Sequence, residues 1–317
     1  MMKIKFLGIV ASLCMSFSTS ANMIGLSMEN DLLNHSDANY THGTRLWYVN
    51  DRLFNEISAN QNILVGFLAN CYSSRSKAIG LTLSQYIYTP EDISAKYPSY
   101  FDRPYAGWLY FGCMYMAYDS RNMDLWEIDA GIMGPHSYAE QVQKQIHRWT
   151  GSQIPQGWDT QLDDEIGLDL IYQKKYKVRW RDYFDVIPQG TLAWGNIHTY
   201  GSCGVSMRLG YNVPNDFGMF RMEPATKLAK SNRKSFGCYL IGSANGWYVI
   251  RNAMLDGNSW GGGRHVDKEI WVGEFGCGAG ITLYGVDFIF MQNYRSKEFK
   301  TQNEAETYST AFLSYYY

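Results

Sequence analysis

The chain has 317 residues, of which 28 are basic and 30 acidic, giving a formal net charge of −2. This balance lacks the basic excess of a nucleic-acid-binding protein, so we expect no nucleic acid among its partners. Aromatic residues make up 16% of the chain, yet its mean hydropathy is only −0.30. That combination is typical of strands that show one face to lipid and the other to a polar interior.

Residues 1–21 have the pattern of a secretory signal peptide. Lys3 and Lys5 precede an apolar run from Phe6 to Phe17, and small residues follow it. The run is too short to span a bilayer, which takes about 20 apolar residues. We therefore predict an exported protein with a cleaved signal at residues 1–21 and a single mature domain at residues 22–317.

The mature chain alternates apolar and polar residues in segments of about ten, separated by turn signals. These segments predict twelve strands, at residues 23–31, 40–50, 77–89, 104–119, 122–134, 163–176, 182–198, 202–214, 234–252, 267–283, 285–296 and 306–317. In lipid only helices and closed barrels satisfy every backbone group, and no apolar run beyond the leader has the length of a membrane-spanning helix. We therefore predict an all-β fold, a twelve-stranded antiparallel transmembrane β-barrel in the outer membrane of a Gram-negative cell.

The longest break in the alternation is residues 134–163, and residues 138–149 within it predict a short helix in an extracellular loop. Gln143 and His147 lie four residues apart on one face of this helix. The opposite face is apolar and contains Val142, Ile146 and Trp149.

Strand direction predicts which polar residues meet. If the amino terminus lies in the periplasm, the first strand ends outside at Asn30 and Asp31, and the second begins outside near Thr41. The loop that contains Arg103 and the loop that contains His147 are then outside as well. Polar features that are distant in sequence therefore converge on one rim of the barrel.

Asn30 and Asp31 are candidates for a metal site. A carboxylate with neighbouring oxygen ligands suits a hard cation such as calcium. An acidic, solvated turn explains the same residues, because Asn and Asp favour turns for their own backbone hydrogen bonds.

His147 and Arg103 are the other candidates for chemistry. An imidazole titrates near neutral pH and is the commonest general base, although a solvent-facing helix histidine explains His147 equally. Arg103 is the second residue of the segment DRPYAGW at 102–108, and it either contacts a phosphate on an anionic lipid or is a loop charge. In the same segment Tyr105 and Trp108 suit an interfacial aromatic belt.

The cysteines of the mature chain have no CxxC or CxxH spacing, which argues against a structural zinc site. They are Cys71, Cys113, Cys203, Cys238 and Cys277. Most fall in predicted strands, so we interpret them as small buried apolar residues rather than disulfide partners.

Several short motifs occur together in one order along the chain. They are Glu29-Asn30-Asp31, Tyr40-Thr41-His42-Gly43, Ile87-Tyr88-Thr89-Pro90, DRPYAGW at 102–108, and Gly134-Pro135 leading to Gln143 and His147-Arg148. In these motifs, over essentially the whole mature chain, the sequence resembles the outer-membrane lipid A 3'-O-deacylases, the LpxR family.

The resemblance implies a calcium-dependent hydrolase that removes the 3'-linked acyloxyacyl group from lipid A in the outer leaflet. It implies that Asp31 binds Ca²⁺ beside Asn30, that Thr41 and Gln143 are polar site residues, and that His147 is the base that activates water. Lipid A and outer-membrane lipids are then the partners, and a monomer is the favoured oligomeric state.

One position departs from the family pattern, which can carry an acidic residue where this chain has Gln153. A different group must then orient His147. Two other functions stay open at this stage: a phospholipase-type serine hydrolase, although no GxSxG motif is present, and a small porin or adhesin barrel without catalysis.

Overall fold

The computed structural model describes residues 22–30, 39–51, 66–67, 70–218 and 236–316. Thirteen strands occur in these ranges. They are β1 (Asn22–Asn30), β2 (Asn39–Asn50), β3 (Ser76–Thr89), β4 (Ala106–Tyr118), β5 (Asn122–Met133), β6 (Glu165–Tyr176), β7 (Val178–Trp180), β8 (Phe184–Gly195), β9 (His198–Tyr211), β10 (Gly237–Asn252), β11 (Trp271–Leu283), β12 (Val286–Arg295) and β13 (Glu306–Tyr316). The predicted signal peptide and the last residue lie outside the described ranges.

The strands form one antiparallel sheet that closes on itself. Strands that follow one another in sequence pair with each other, β1 pairs with β13, and β6 pairs with β8 across the hairpin that contains β7. The three-residue β7 pairs with β8 alone, so twelve long strands make the barrel wall. The prediction of a twelve-stranded antiparallel barrel is confirmed.

Several predicted strand boundaries are wrong, and the strand predicted from residue 267 starts only at Trp271. The strand predicted at residues 182–198 starts at Phe184 and ends at Gly195, and the next strand starts at His198 rather than at residue 202. The turn therefore consists of Asn196 and Ile197. Because Ile197 is apolar, the sequence pattern predicted a continuous strand through it.

The two ends of the barrel are named here by the chain termini. The terminal rim is the end where β1 begins and β13 ends, and the distal rim is the opposite end. At the terminal rim β11 and β12 are joined by Tyr284 and Gly285, with φ of 48° and 86°, as a two-residue hairpin turn requires. The longest described connection, residues 134–164, lies at the distal rim.

The outer surface of the wall is apolar. Outward positions carry exposed side chains such as Leu83, Phe111, Leu168, Leu192, Leu240 and Phe288. Aromatic residues flank this band, with Trp194, Trp271 and Tyr294 near the distal rim and Trp180, Tyr211 and Tyr284 near the terminal rim. An apolar band between two aromatic girdles is the surface that an outer-membrane barrel shows to lipid. No helix of the described residues has the length and apolarity needed to cross a membrane.

The structure of the wall corrects the sequence-based interpretations of the cysteines, of Trp108 and of Tyr105. The described cysteines are free but exposed, and those on strands face outward, where lipid rather than protein surrounds a small apolar thiol. Trp108 and Tyr105 do not belong to an interfacial belt, because their side chains are 1% and 0% exposed. Trp108 points inward, and Tyr105 packs on Trp158 with ring centroids 4.8 Å apart.

The lumen is blocked near the terminal rim. An apolar cluster fills it, and Val213 and Phe217 from the segment after β9 belong to that cluster. Arg208 of β9 holds the segment in place, because its guanidinium binds both carboxylate oxygens of Asp185, at 2.9 and 2.7 Å, and the carbonyl oxygen of Pro214 at 3.0 Å. We call residues 212–218 the plug.

Candidate active site on the outer face of the barrel

The loop between β5 and β6 contains the predicted helix, which spans Ala139–Thr150 and is named α1. It follows a short 3-10 turn at Pro135–Ser137. It ends at Gly151, which has φ of 76° and donates its backbone N–H to the carbonyl oxygen of His147. A glycine in this left-handed conformation is a common helix terminator, so the predicted helix at 138–149 is confirmed to within one residue.

Helix α1 packs against the outside of the barrel wall, not in the lumen. On β3, Tyr86 and Tyr88 face the lumen, so the alternate residues Ile87 and Thr89 face outward. Both outward side chains are nevertheless fully buried, and Ile87 lies in a cluster with Ala139 of α1. The helix therefore covers a patch of wall that would otherwise face the surrounding solvent.

A glycine in the wall makes this close approach possible. A Cβ atom added to Gly107 of β4 would lie 2.3 Å from Cβ of Ala139 and 2.1 Å from Oγ of Ser137. Real carbon atoms do not come so close, so any side chain at this position would push α1 away from the wall. The register of β3 and β4 places Gly107 opposite Ile87.

The polar face of α1 is the face that packs inward. Ala139, Gln143 and His147 are buried, and the last two are 2% and 3% exposed. On the apolar face Trp149 is 72% exposed, whereas Val142 is partly buried against the cluster of Ile87 and Ala139. The interpretation of His147 as a solvent-facing helix histidine is therefore wrong.

His147 is oriented by the main chain. Its ring nitrogen Nδ1 is hydrogen-bonded to the backbone carbonyl oxygen of Gln153, just beyond the end of α1. Because a carbonyl oxygen only accepts, Nδ1 carries the proton in the neutral ring, and Nε2 keeps its lone pair. This is the tautomer that a general base needs, and it is set without an acidic side chain at position 153.

Gln143 is oriented by a tryptophan. The indole Nε1 of Trp158 donates to Oε1 of Gln143 at 2.8 Å. Because an indole N–H can only donate, this contact identifies the amide oxygen and leaves Nε2 as the other end of the amide. That Nε2 is buried and has no hydrogen-bond partner among the described residues. A buried amide donor without an acceptor marks a place where a ligand oxygen fits.

Thr41 faces outward because of a β-bulge in β2. Tyr40 pairs with Tyr88 and His42 pairs with Ile87, so Thr41 is the extra residue between them. Its hydroxyl lies 2.7 Å from the hydroxyl of Thr89 on the outer face of β3. Bulges often redirect a side chain beside an active site.

Asn30 joins this group from the neighbouring strand. Its amide Nδ2 donates to the backbone carbonyl oxygen of Thr41 at 3.0 Å. The structure thus brings together Asn30 and Thr41 on one side, and Gln143 and His147 on α1. Both groups lie against the outer face of the distal half of β3, at Thr89 and Ile87 respectively.

Of the two other predicted site residues, one is not described by the structure and one lies elsewhere. Asp31 lies outside the described residues, so its role as the metal ligand stays a prediction. Arg103 is fully buried on the lumen side, where it forms an ion pair with Glu298 at 3.2 Å and its guanidinium carbon lies 4.6 Å from the ring centroid of Tyr88. Arg103 is therefore separated from α1 by the barrel wall, and the structure does not place it at the outer site.

The donor groups at the site have the chemistry that calcium prefers. The side-chain amide of Asn30 and the hydroxyls of Thr41 and Thr89 supply neutral oxygens, to which Asp31 would add a carboxylate. Among the described residues no group of three or more His, Cys, Asp or Glu side chains is placed to hold a metal ion. The described residues thus offer only neutral oxygens here, and a calcium site at this place stays a prediction.

Sequence reasoning missed Thr89 and Trp158 as parts of the site. Thr89 lies in the motif Ile87-Tyr88-Thr89-Pro90, and strict alternation from the exposed Leu83 would have placed it on the outer face. Trp158 had no signal of its own, because its contact with Gln143 depends on how the loop folds back on α1.

These features define an outer-membrane β-barrel that carries a helix-covered polar site on the outside of its wall. The model of the family described as "Outer membrane protein LpxR" matches residues 6–317. The chain belongs to this family, and the resemblance seen in the sequence motifs is confirmed. No curated protein matches the chain.

Solved structures support the same fold. The structure of LpxR from Salmonella typhimurium is similar with a TM-score of 0.75 and 19% sequence identity, and the match covers 93% of this chain and 100% of that one. The beta domain of the Bordetella autotransporter BrkA has a TM-score of 0.41 at 9% identity, with 94% and 99% of the two chains covered. The translocator domain of NalP from Neisseria meningitidis has a TM-score of 0.39 at 9% identity, with 100% and 94% covered. The two autotransporter domains are too dissimilar to support any conclusion.

Proposed function

We propose that this protein is a calcium-dependent hydrolase that removes the 3'-linked acyloxyacyl group from lipid A in the outer leaflet of the outer membrane. Family membership supports the proposal. The observation that carries it is the position of His147, buried under α1 on the lipid-facing side of the wall with its Nδ1 bound to a carbonyl oxygen. A base in this place can reach an ester that stays in the membrane.

The reaction follows from the two oriented side chains. Nε2 of His147 accepts a proton from water, and the water oxygen attacks the ester carbonyl carbon. Negative charge develops on the carbonyl oxygen, to which Nε2 of Gln143 donates a hydrogen bond. When the bond to the sugar oxygen breaks, the proton on His147 passes to that oxygen. The products are a free acyloxyacyl acid and a sugar hydroxyl.

Asn30 and Asp31 would hold the calcium ion, with the hydroxyl of Thr41 close by. When bound, calcium supplies positive charge that polarises an ester carbonyl. No acyl-enzyme intermediate is needed, which distinguishes this proposal from a serine hydrolase.

The decisive experiment is mass spectrometry of lipid A from cells that express the protein. We expect lipid A to lose its 3' acyl chains with the wild type and to stay intact with His147→Ala. His265→Ala, at an exposed loop histidine, is the matched control and should retain activity. An unchanged lipid profile with folded wild-type protein would overturn the proposal.

Two further measurements separate the alternatives. Purified protein should lose activity in a chelator and regain it with added calcium. Stable labelling by a fluorophosphonate probe would instead indicate a serine nucleophile. The porin alternative conflicts with the lumen, which is filled by the apolar cluster and the plug near the terminal rim.

A further inference from the structure

The distal half of the lumen contains a cavity that the outer site does not use. Its volume is about 720 Å³ including the open mouth. Aromatic side chains make much of its wall: Tyr86, Trp108, Tyr110, Tyr200 and Trp247. Asp129, Asp169 and His198 line it as well.

Two carboxylates face each other in this cavity. Asp129 of β5 and Asp169 of β6 are direct partners in the antiparallel register, and their side chains are 4% and 2% exposed. Like charges directly opposite each other on one sheet face destabilise the pairing. A positive charge placed between or beside them would offset this repulsion.

Asp169 has its hydrogen bonds supplied by the protein. Its Oδ1 accepts from the backbone N–H groups of Ile197 and His198, at 3.2 and 3.1 Å. Its Oδ2 lies 3.0 Å from Nδ1 of His198, which donates to it. The other ring nitrogen, Nε2, is then an acceptor in the neutral ring, and it has no partner among the described residues.

The hydrogen bonding of Asp129 differs from that of Asp169. Its Oδ1 is buried and has no hydrogen-bond donor among the described residues. The cavity thus contains two buried acceptors, Oδ1 of Asp129 and Nε2 of His198, that lack a donor. Leaving a buried acceptor without a donor costs free energy, and more when the acceptor is charged.

Two of the nearby arginines are paired with other carboxylates, and Arg251, which also lines the cavity, donates to the carbonyl oxygens of Asn196 and Gly257 and to the hydroxyl of Ser259. Arg45 pairs with Glu127 at 2.7 Å, and Arg295 pairs with Glu274 and Glu298 at 3.1 and 2.9 Å. None of the described basic side chains lies within 4.0 Å of the Asp129 carboxylate. The Asp129 carboxyl group therefore has no direct ion-pair partner among the described residues, and it lies next to the aromatic wall of the cavity.

The aromatic wall of the cavity lies beside the Asp129 carboxyl group. Tyr110 and Gly112 are successive lumen-facing residues of β4, and Gly112 is the register partner of Asp129. Tyr110 stacks on Trp108 with ring centroids 5.5 Å apart and lies 6.0 Å from the ring of Tyr86. Aromatic faces around a carboxylate attract organic cations, whereas a hard metal ion prefers several oxygen ligands.

We propose that the distal lumen binds an organic ammonium ion, with its N–H groups donating to Asp129 and His198 and its carbon atoms against Tyr110, Trp108 and Tyr86. The ligand enters and leaves through the distal rim, because the plug closes the other end. This site is separate from His147, since the barrel wall lies between them.

Titration of the purified full-length barrel with n-butylammonium chloride, followed by tryptophan fluorescence, tests the site. Trp108 and Trp247 line the cavity and report on its occupancy. Sodium chloride at equal ionic strength and uncharged n-butanol serve as reference ligands. We expect a saturable response to n-butylammonium alone, and the same affinity in His147→Ala.

Two variants test the role of the charge. Asp129→Asn should weaken binding at least tenfold, whereas Asp267→Asn, whose side chain is 79% exposed, should bind like the wild type. Ile171→Lys places a tethered ammonium group in the same cavity and should abolish binding. An equal response to sodium chloride, no saturable response in the wild type, or unchanged affinity in Asp129→Asn and Ile171→Lys would each overturn the proposal.

Discussion

The indole nitrogen of Trp158 donates to Oε1 of Gln143 at 2.8 Å and so ties the loop after α1 to the buried face of that helix. Trp158→Phe keeps the ring that packs on Tyr105 but removes this donor. We expect kcat for lipid A deacylation to fall about tenfold, as the loss of about 1.4 kcal/mol of hydrogen bonding implies, with KM little changed. Trp149→Phe, on the exposed face of α1, should have full activity. A rise in KM and a fall in kcat, together with altered folding, would point to a merely structural role.

Gln143→Glu tests the amide donor itself. Glutamate keeps an oxygen for Trp158 but has no N–H group to offer the developing oxyanion. We expect kcat to fall by about 10²–10³, the effect of removing one oxyanion-hole donor in other hydrolases. Gln141→Glu, at an exposed position of the same helix, adds the same charge and should be close to wild type. Full activity in Gln143→Glu would remove Gln143 from the mechanism.

Gln153→Ala tests whether His147 depends on the main chain. The partner of its Nδ1 is the backbone carbonyl oxygen of Gln153, which every residue type provides. We therefore expect activity within about twofold of the wild type, because no side-chain hydrogen bond is removed from the ring. Steady-state kinetics on lipid A measures this. A loss beyond tenfold would show that the side chain at 153 acts on the imidazole after all.

Gly107→Ala tests the docking of α1 on the wall. The added methyl group would lie closer to Ala139 and Ser137 than van der Waals contact allows, so the helix must shift. We expect at least a tenfold loss of activity while the barrel stays folded. Gly246→Ala is the matched control, because a Cβ there meets no atom within 4 Å. Equal activities of the two variants would contradict the close packing of α1.

Arg208→Met tests the plug. It removes the guanidinium that pairs with the buried Asp185 and Asp216, and breaking a buried pair in this way typically costs about 3–5 kcal/mol. We expect the wild type to be silent in planar bilayers and the variant to show ion conductance as residues 212–218 leave the lumen. Arg181→Met, at an exposed turn residue, should remain silent. Steady conductance by the wild type would revive the porin alternative.

The strand pattern was largely predictable from the sequence. A period of two fixes which residues face lipid, and most predicted boundaries lie within three residues of the observed ones. The turn at Asn196 and Ile197 was missed because an apolar residue occupies it. The short strand β7 was missed because three residues are too few to show a period.

The packing of the site was less predictable. The sequence indicated that Gln143 and His147 share a helix face, but nothing in its pattern indicated that this polar face packs against the wall. At a membrane rim an apolar face can stay exposed, since lipid does not penalise it as water does. The bulge at Thr41 was also invisible, because an extra residue in a strand shows only when its neighbours on the partner strand are known.

Tyr88 and Thr89 are consecutive residues, and the wall between them is a single strand thick. Tyr88 packs on Arg103 inside, and Thr89 touches Thr41 outside. One short stretch of backbone therefore serves two compartments, one open to the aqueous exterior and one to the bilayer. A change of one residue in strand register there would move Tyr88 to the lipid side and Thr89 to the lumen. The inner and the outer set of contacts therefore cannot change independently.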